Sequence, residues 1–152
     1  MNTKYLVFYI AVFLGVYSCS QTNKASSNSG SDEINYADLN LNTGRAIVQS
    51  VCITCHDPKN SRTDRIAPPL EMVKRNYLSI SNSESEFINR VTSFVLYPTK
   101  EEAKLHKDVD QFGLMDPLGY SKQDVLSVAL YLYRTELERP EWLDSEEELN
   151  NE

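Results

Sequence analysis

The stretch Cys52-Ile53-Thr54-Cys55-His56 decides how the rest of this chain is read. It places two thiols three positions apart and follows them at once with an imidazole. On a helical turn both sulfurs can reach one side of a porphyrin and add across its two vinyl groups, while the adjoining ring nitrogen binds the iron. That is the pattern of c-type haem attachment. Three other chemistries compete for the same residues. A thioredoxin-like Cys-x-x-Cys requires a βαβ setting, and the flanks here read as helices. A zinc site requires a fourth ligand, and the only other histidine is His106. A disulfide would leave His56 without a role. The expectation is one haem, linked through Cys52 and Cys55, with His56 on the iron.

The ends of the chain have different compositions. Lys4 followed by the nearly continuous apolar run Tyr5 to Tyr17 is shorter than the ~20 residues needed to cross a bilayer and fits the core of a secretory signal. The run closes on Val16-Tyr17-Ser18-Cys19, which resembles the lipobox of bacterial lipoproteins, with Tyr17 bulkier than usual. The resemblance implies cleavage before Cys19, acylation of that cysteine, and a protein anchored by lipid in the bacterial cell envelope, facing the periplasm. With Cys19 taken by lipid and two cysteines by haem, none of the three cysteines remains for a disulfide. Residues 20–32, rich in Ser, Asn, Gln and Thr, have too little apolar surface to order themselves and read as a tether of roughly 20 Å. The expected organisation is a signal over 1–18, a linker over 19–36, one domain over 37–140, and an acidic tail over 141–152.

Inside the domain three helices announce themselves. The first opens near Asn42, a plausible cap, and runs into the cysteines, with Gly44, Val48, Val51, Cys52 and Cys55 on one side. Gly44 lies where glycine weakens a helix by up to about 1 kcal/mol relative to alanine, so it suggests that another backbone passes close by. The second begins at Ser83, where Ser83-Glu84-Ser85-Glu86 forms a capping box. It carries the stripe Phe87, Ile88, Val91, Phe94 and Val95 and ends before Pro98. The third begins at Ser121 and carries Val125, Val128, Ala129 and Leu132, with Tyr131 beside them. Shorter helical turns are expected around Leu70 to Tyr77 and Lys100 to Lys107. No segment alternates as a strand would, so the fold is expected to be all-α, with three to five helices.

A haem iron held by His56 has a second face. Beyond the signal only Met72 and Met115 remain. Met72 falls in a helical run. Met115 sits in Gly113-Leu114-Met115-Asp116-Pro117, where glycine and proline favour an extended loop able to present a thioether. Met115 is therefore the expected sixth ligand. His106 is the rival, but its neighbours Lys104, Lys107 and Asp108 look solvated and argue for a surface histidine.

Taken together, the region from Thr43 to Arg134 resembles a class I c-type cytochrome. The likeness rests on Cys52 to His56, on Ala67-Pro68-Pro69-Leu70 and on the Met115 loop. It implies a cytochrome c-like fold around one covalently bound haem c, with His56 and Met115 as axial ligands. It also implies that the Pro68 carbonyl, twelve residues after His56, accepts the imidazole N–H and so fixes the ring and raises its basicity. Finally, it implies packing of Gly44 against Tyr131. Two departures are visible: Ala67 where the family often has glycine, and Asp116 between Met115 and Pro117.

Charge narrows the partners. Beyond the signal the chain carries 14 Lys+Arg against 22 Asp+Glu, and residues 136–152 alone hold eight acids and one base. The acidic balance argues against nucleic acid. Between Lys59 and Arg75 five bases face two acids, and Arg62 and Arg65 are candidates for docking an acidic partner or meeting haem carboxylates. Two firm axial ligands leave no position for substrate, so the leading reading is a monomeric electron carrier that serves redox partners of the cell envelope. A peroxidase-like enzyme using His106 and Asp116, a haem sensor, and a subunit of a larger membrane oxidoreductase complex are the alternatives. If the lipid is the anchor, Cys19→Ser moves the haem-loaded protein from the membrane to the soluble fraction. Retention of that variant in membranes after a carbonate wash would show that the anchor lies elsewhere.

Overall fold

In the computed structural model, residues 36–143 are described. Cys19 and the segments expected to be the signal, the linker (to residue 35) and the tail beyond residue 143 lie outside them. Among the described residues all regular structure is helical, as the absence of alternating apolar runs requires. Five α-helices follow in order: α1 (Leu41–Ser50), α2 (Leu70–Ser79), α3 (Glu84–Leu96), α4 (His106–Phe112) and α5 (Lys122–Arg134). Single 3-10 turns cover Tyr36–Asp38 and Cys52–Thr54.

The helix starts follow capping chemistry. Asn40, not Asn42, caps α1, its side chain accepting from the backbone N–H groups of Asn42 and Thr43. Ser83 caps α3 through the Glu86 N–H. The return half of the box is displaced by one residue, since the Glu86 carboxylate accepts from Asn82 N at 2.8 Å. Ser121 caps α5 through the Asp124 N–H. α3 stops at Leu96, two residues before Pro98. The turn expected around Lys100 to Lys107 instead begins its helix at His106 and runs to Phe112.

The core is built on α5, whose residues Val125 to Leu132 are all buried. It packs most extensively against α1 and α3, and α2 adds lighter contacts to α3 and α5. Phe87 and Ile88 of α3 are fully buried, and the Phe87 ring meets Tyr77 of α2 edge-on and Tyr133 of α5 at a tilt. Lys74 Nζ donates to the Thr135 carbonyl at 2.7 Å, and Arg134 spans both Glu84 oxygens at 2.7 and 3.1 Å. α4 is not among the helices that pack extensively on one another.

The contact between α1 and α5 is backbone against backbone. A Cβ on Gly44 would overlap the Ser127 carbonyl oxygen and lie 2.8 Å from Tyr131 Cβ, so the close passage suggested by Gly44 is present. Asn40 N also donates to Ser127 Oγ at 3.2 Å. Composition alone assigns residue 141 onward to a solvated tail. In the structure Leu143 is only 4 % exposed, and Trp142 Nε1 donates to the Asn60 carbonyl at 3.0 Å, so the folded body runs on at least that far.

Overpacking of a close core contact costs about 1–3 kcal/mol, and here the neighbour is main chain that cannot swing aside. Gly44→Ala is expected to lose at least that much stability in chemical denaturation. An unchanged midpoint would show that the two helices can part without cost.

Candidate functional site

α1 ends at Ser50, one residue short of the thiols, and Val51 leaves the helix with its N–H still on the Ile47 carbonyl. The chain then tightens. The Cys52 carbonyl accepts from both Cys55 N at 3.2 Å and His56 N at 3.0 Å, and Thr54 Oγ1 donates to the Val51 carbonyl at 2.6 Å. The cysteines are therefore carried on a 3-10 turn rather than on α1 itself. Both are free thiols.

This turn faces a cavity of about 360 Å³, within the range of small-molecule and cofactor sites. Cys52, Cys55, His56, Pro68 and Met115 all contribute to its wall. Val73 and Tyr77 of α2, Val91 and Phe94 of α3, and Val125, Val128 and Leu132 of α5 supply apolar surface. Lys104, Asp108 and Asp116 are the charged residues on the wall. Ile66, Leu114 and Leu118 belong to the wall and are also solvent-exposed, Ile66 at 61 %, which gives the cavity an apolar rim.

Met115 reaches the wall from the segment between α4 and α5, which has no helical structure. Gly113 and Gly119 flank it, with φ of 83° and 70°. At Gly113 ψ is −179°, a combination open essentially to glycine alone. That residue lets the chain turn out of α4 and pass along the cavity.

The electrostatics define the state of the imidazole. His56 Nδ1 lies 2.6 Å from the Pro68 carbonyl oxygen. A carbonyl can only accept, so Nδ1 carries the proton and Nε2 is left with its lone pair. Burial pushes the His56 pKa down, partly opposed by the hydrogen bond to Pro68. Burial likewise pushes the Cys52 thiol up, aided by Cys55 and opposed by a backbone hydrogen bond. The Tyr77 hydroxyl is buried without a hydrogen-bond partner. Its pKa is raised to about 12 by burial and then by Glu102, with Arg90 opposing, so it stays protonated and can serve as a donor.

The structure thus brings Cys52, Cys55, His56, Pro68 and Met115 to one cavity and leaves out the rivals. His106 is exposed at the start of α4 and Met72 sits beside Arg65; neither belongs to the wall. Two sequence expectations are corrected here. Asp108 is buried, not solvated, and Arg65 is no surface base: it pairs with Asp108 at 3.6 Å, both side chains being 8 % exposed. Tyr77 was not legible as a polar member of the wall, because at a core position of α2 its ring reads like any other aromatic. No group of three or more His, Cys, Asp or Glu side chains among the described residues is placed to hold a bare metal ion. Comparison of the chain with protein-family models, with curated proteins and with solved structures finds no match.

The depressed His56 pKa sets a pH dependence for the cofactor-free chain. Unfolded, the imidazole takes up its proton around pH 6.5; folded, it does so only at lower pH. The unfolded state therefore binds more protons in that window, and stability falls as pH drops below about 6.5. Thermal unfolding of the cofactor-free protein between pH 8 and 5 is expected to show this loss, and His56→Gln is expected to flatten it. An equal slope in the variant would assign the effect to other groups.

Proposed function

We propose that this protein is a mono-haem c-type cytochrome of the class I kind, working as an electron carrier. The observation that carries the reading is the convergence of two free thiols, an imidazole with its Nε2 lone pair available, and a thioether on one apolar cavity.

The residues present suit haem on several counts. The wall is apolar, as a macrocycle requires. Imidazole and thioether are both established axial ligands for haem iron, and the pair raises its reduction potential. The Tyr77 hydroxyl, buried and unpartnered, is a donor that a carboxylate of the macrocycle would satisfy. In this reading Cys52 and Cys55 would hold the haem covalently, each thiol adding its sulfur to one carbon of a vinyl group and its hydrogen to the other. His56 Nε2 would ligate the iron, with Pro68 keeping that ring oriented and basic through Nδ1. Met115 would supply the second protein ligand. Haem bound there supplies one-electron exchange between Fe(II) and Fe(III), and the chain supplies binding, orientation and exclusion of water.

Ligation of the iron by both His56 and Met115 would leave no open position for substrate and would favour a carrier over a peroxidase-like enzyme or a ligand sensor. Of His106 and Asp116, the two groups an acid–base role would use, only Asp116 lies on the cavity wall and His106 is off it. The exposed rim of Ile66, Leu114 and Leu118 offers an apolar surface at which a redox protein of the cell envelope could approach. A lipid on Cys19 would hold the carrier at the membrane, alone or as part of a larger oxidoreductase complex.

Met115→Ala tests the assignment. Its potential should fall, because the thioether favours reduced iron. Carbon monoxide should bind the reduced variant at least about tenfold more tightly than the parent, equivalent to about 1.4 kcal/mol. His106→Ala should change neither property. Strong carbon monoxide binding by the unaltered protein would instead mean an open site, and His106 control of the spectrum would move the ligand to that residue.

A further inference from the structure

α4 poses a positional problem. It runs straight through Gly113 into the segment that carries Met115, yet it is not among the helices that pack extensively on another helix. Something else must fix its place. Its residues Asp108 and Phe112 are four apart and so share one face, and Arg65 meets both. The Arg65 guanidinium is 3.6 Å from the Asp108 carboxylate and 5.2 Å from the centre of the Phe112 ring. The Trp142 ring lies 4.9 Å from the same guanidinium, and Met72 Sδ is 3.9 Å from Nη1. Trp142 is itself tied by its Nε1 to the Asn60 carbonyl at 3.0 Å. Asn60 and Arg65 both belong to the loop between His56 and Pro68.

We infer that Arg65, stacked with Phe112 and Trp142 and paired with Asp108, is a clamp that seats α4 and thereby holds Met115 at the cavity. Four parts of the chain meet at this one cation: its own loop following the thiol turn, Met72 of α2, the helix preceding the thioether, and the C-terminal segment. Two features show that the cluster is specific. The pair is buried, so moving one partner away would leave an uncompensated charge in the interior. A planar guanidinium can stack on rings and meet a carboxylate at the same time, which a lysine ammonium cannot. Arg65 is thus a positioning residue, and Trp142 is its lid. The consequence for an iron ligand rests on the cytochrome reading; the seating of α4 does not.

Hydrogen exchange on the full-length protein, wild type and variants, tests this directly. Arg65→Gln and Trp142→Ala should each speed exchange of the hydrogen-bonded amides of residues 109–113 by about tenfold or more, the signature of a local opening. Residues 125–132 should be unaffected. Arg65→Lys, which keeps charge but not the plane, should fall in between. The double variant should be no worse than the poorer single, because both side chains act through one stack. In the haem-loaded protein the weak far-red band that a thioether gives oxidised iron should fade in step. Should Arg65→Gln not fold, Trp142→Ala leaves the ion pair in place and still decides. Unchanged exchange in 109–113, or an equal rise across 125–132, would overturn the clamp. Absence of covalently bound haem would sink the cytochrome reading alone, because the exchange pattern is measured on the polypeptide.

Discussion

The contact on which the arrangement rests is the meeting of α1 and α5 at Gly44, where the main chain of one helix touches the Ser127 carbonyl and Tyr131 Cβ of the other. No larger residue fits there, so α1 lies directly on the most buried helix. That fixes the direction in which α1 delivers the chain to Cys52. The thiol turn is short and strongly hydrogen-bonded to its own backbone, and it transmits the placement to both sulfurs and to His56. A loose α1 would present the same three side chains with no defined relation to the far wall of the cavity.

The rest of the body encloses the cavity opposite that turn. α2, α3 and α5 each turn apolar side chains toward it, and His56 is held by one carbonyl, that of Pro68. This hydrogen bond does two things at once. It satisfies the buried N–H, and it selects the tautomer whose other nitrogen is a free donor of electrons. The far wall is assembled differently, from a short helix and a segment flanked by glycines with positive φ. Its position therefore relies on side-chain contacts at Arg65 more than on helix packing.

Much of this was legible in the sequence for identifiable reasons. α3 and α5 announce themselves because a serine cap precedes an apolar stripe at helical period, and both rules act locally. Gly44 was legible because an unforced glycine in a helix asks for a neighbour. The grouping of Cys52, Cys55, His56, Pro68 and Met115 followed from ligand chemistry and from a family resemblance, and the cavity brings those residues together. What escaped depends on distant partners. Arg65, Asp108 and Trp142 each look like surface or tail residues in their own neighbourhoods, and only the fold makes them a buried cluster. The extent of α4 was misplaced because little apolar periodicity marks a seven-residue helix whose position is set by a contact with Arg65, far earlier in the chain.

The proposed cytochrome role requires covalently bound haem on the thiol turn. Intact-mass measurement of the protein purified from a host competent in c-type haem attachment, after full denaturation and acid extraction, tests it most directly. A cytochrome would give a polypeptide heavier by one haem, with the mass retained through extraction and lost in the Cys52→Ala/Cys55→Ala double variant. A denatured mass equal to that of the bare chain, or lighter by two hydrogens as a Cys52–Cys55 disulfide would make it, would contradict it.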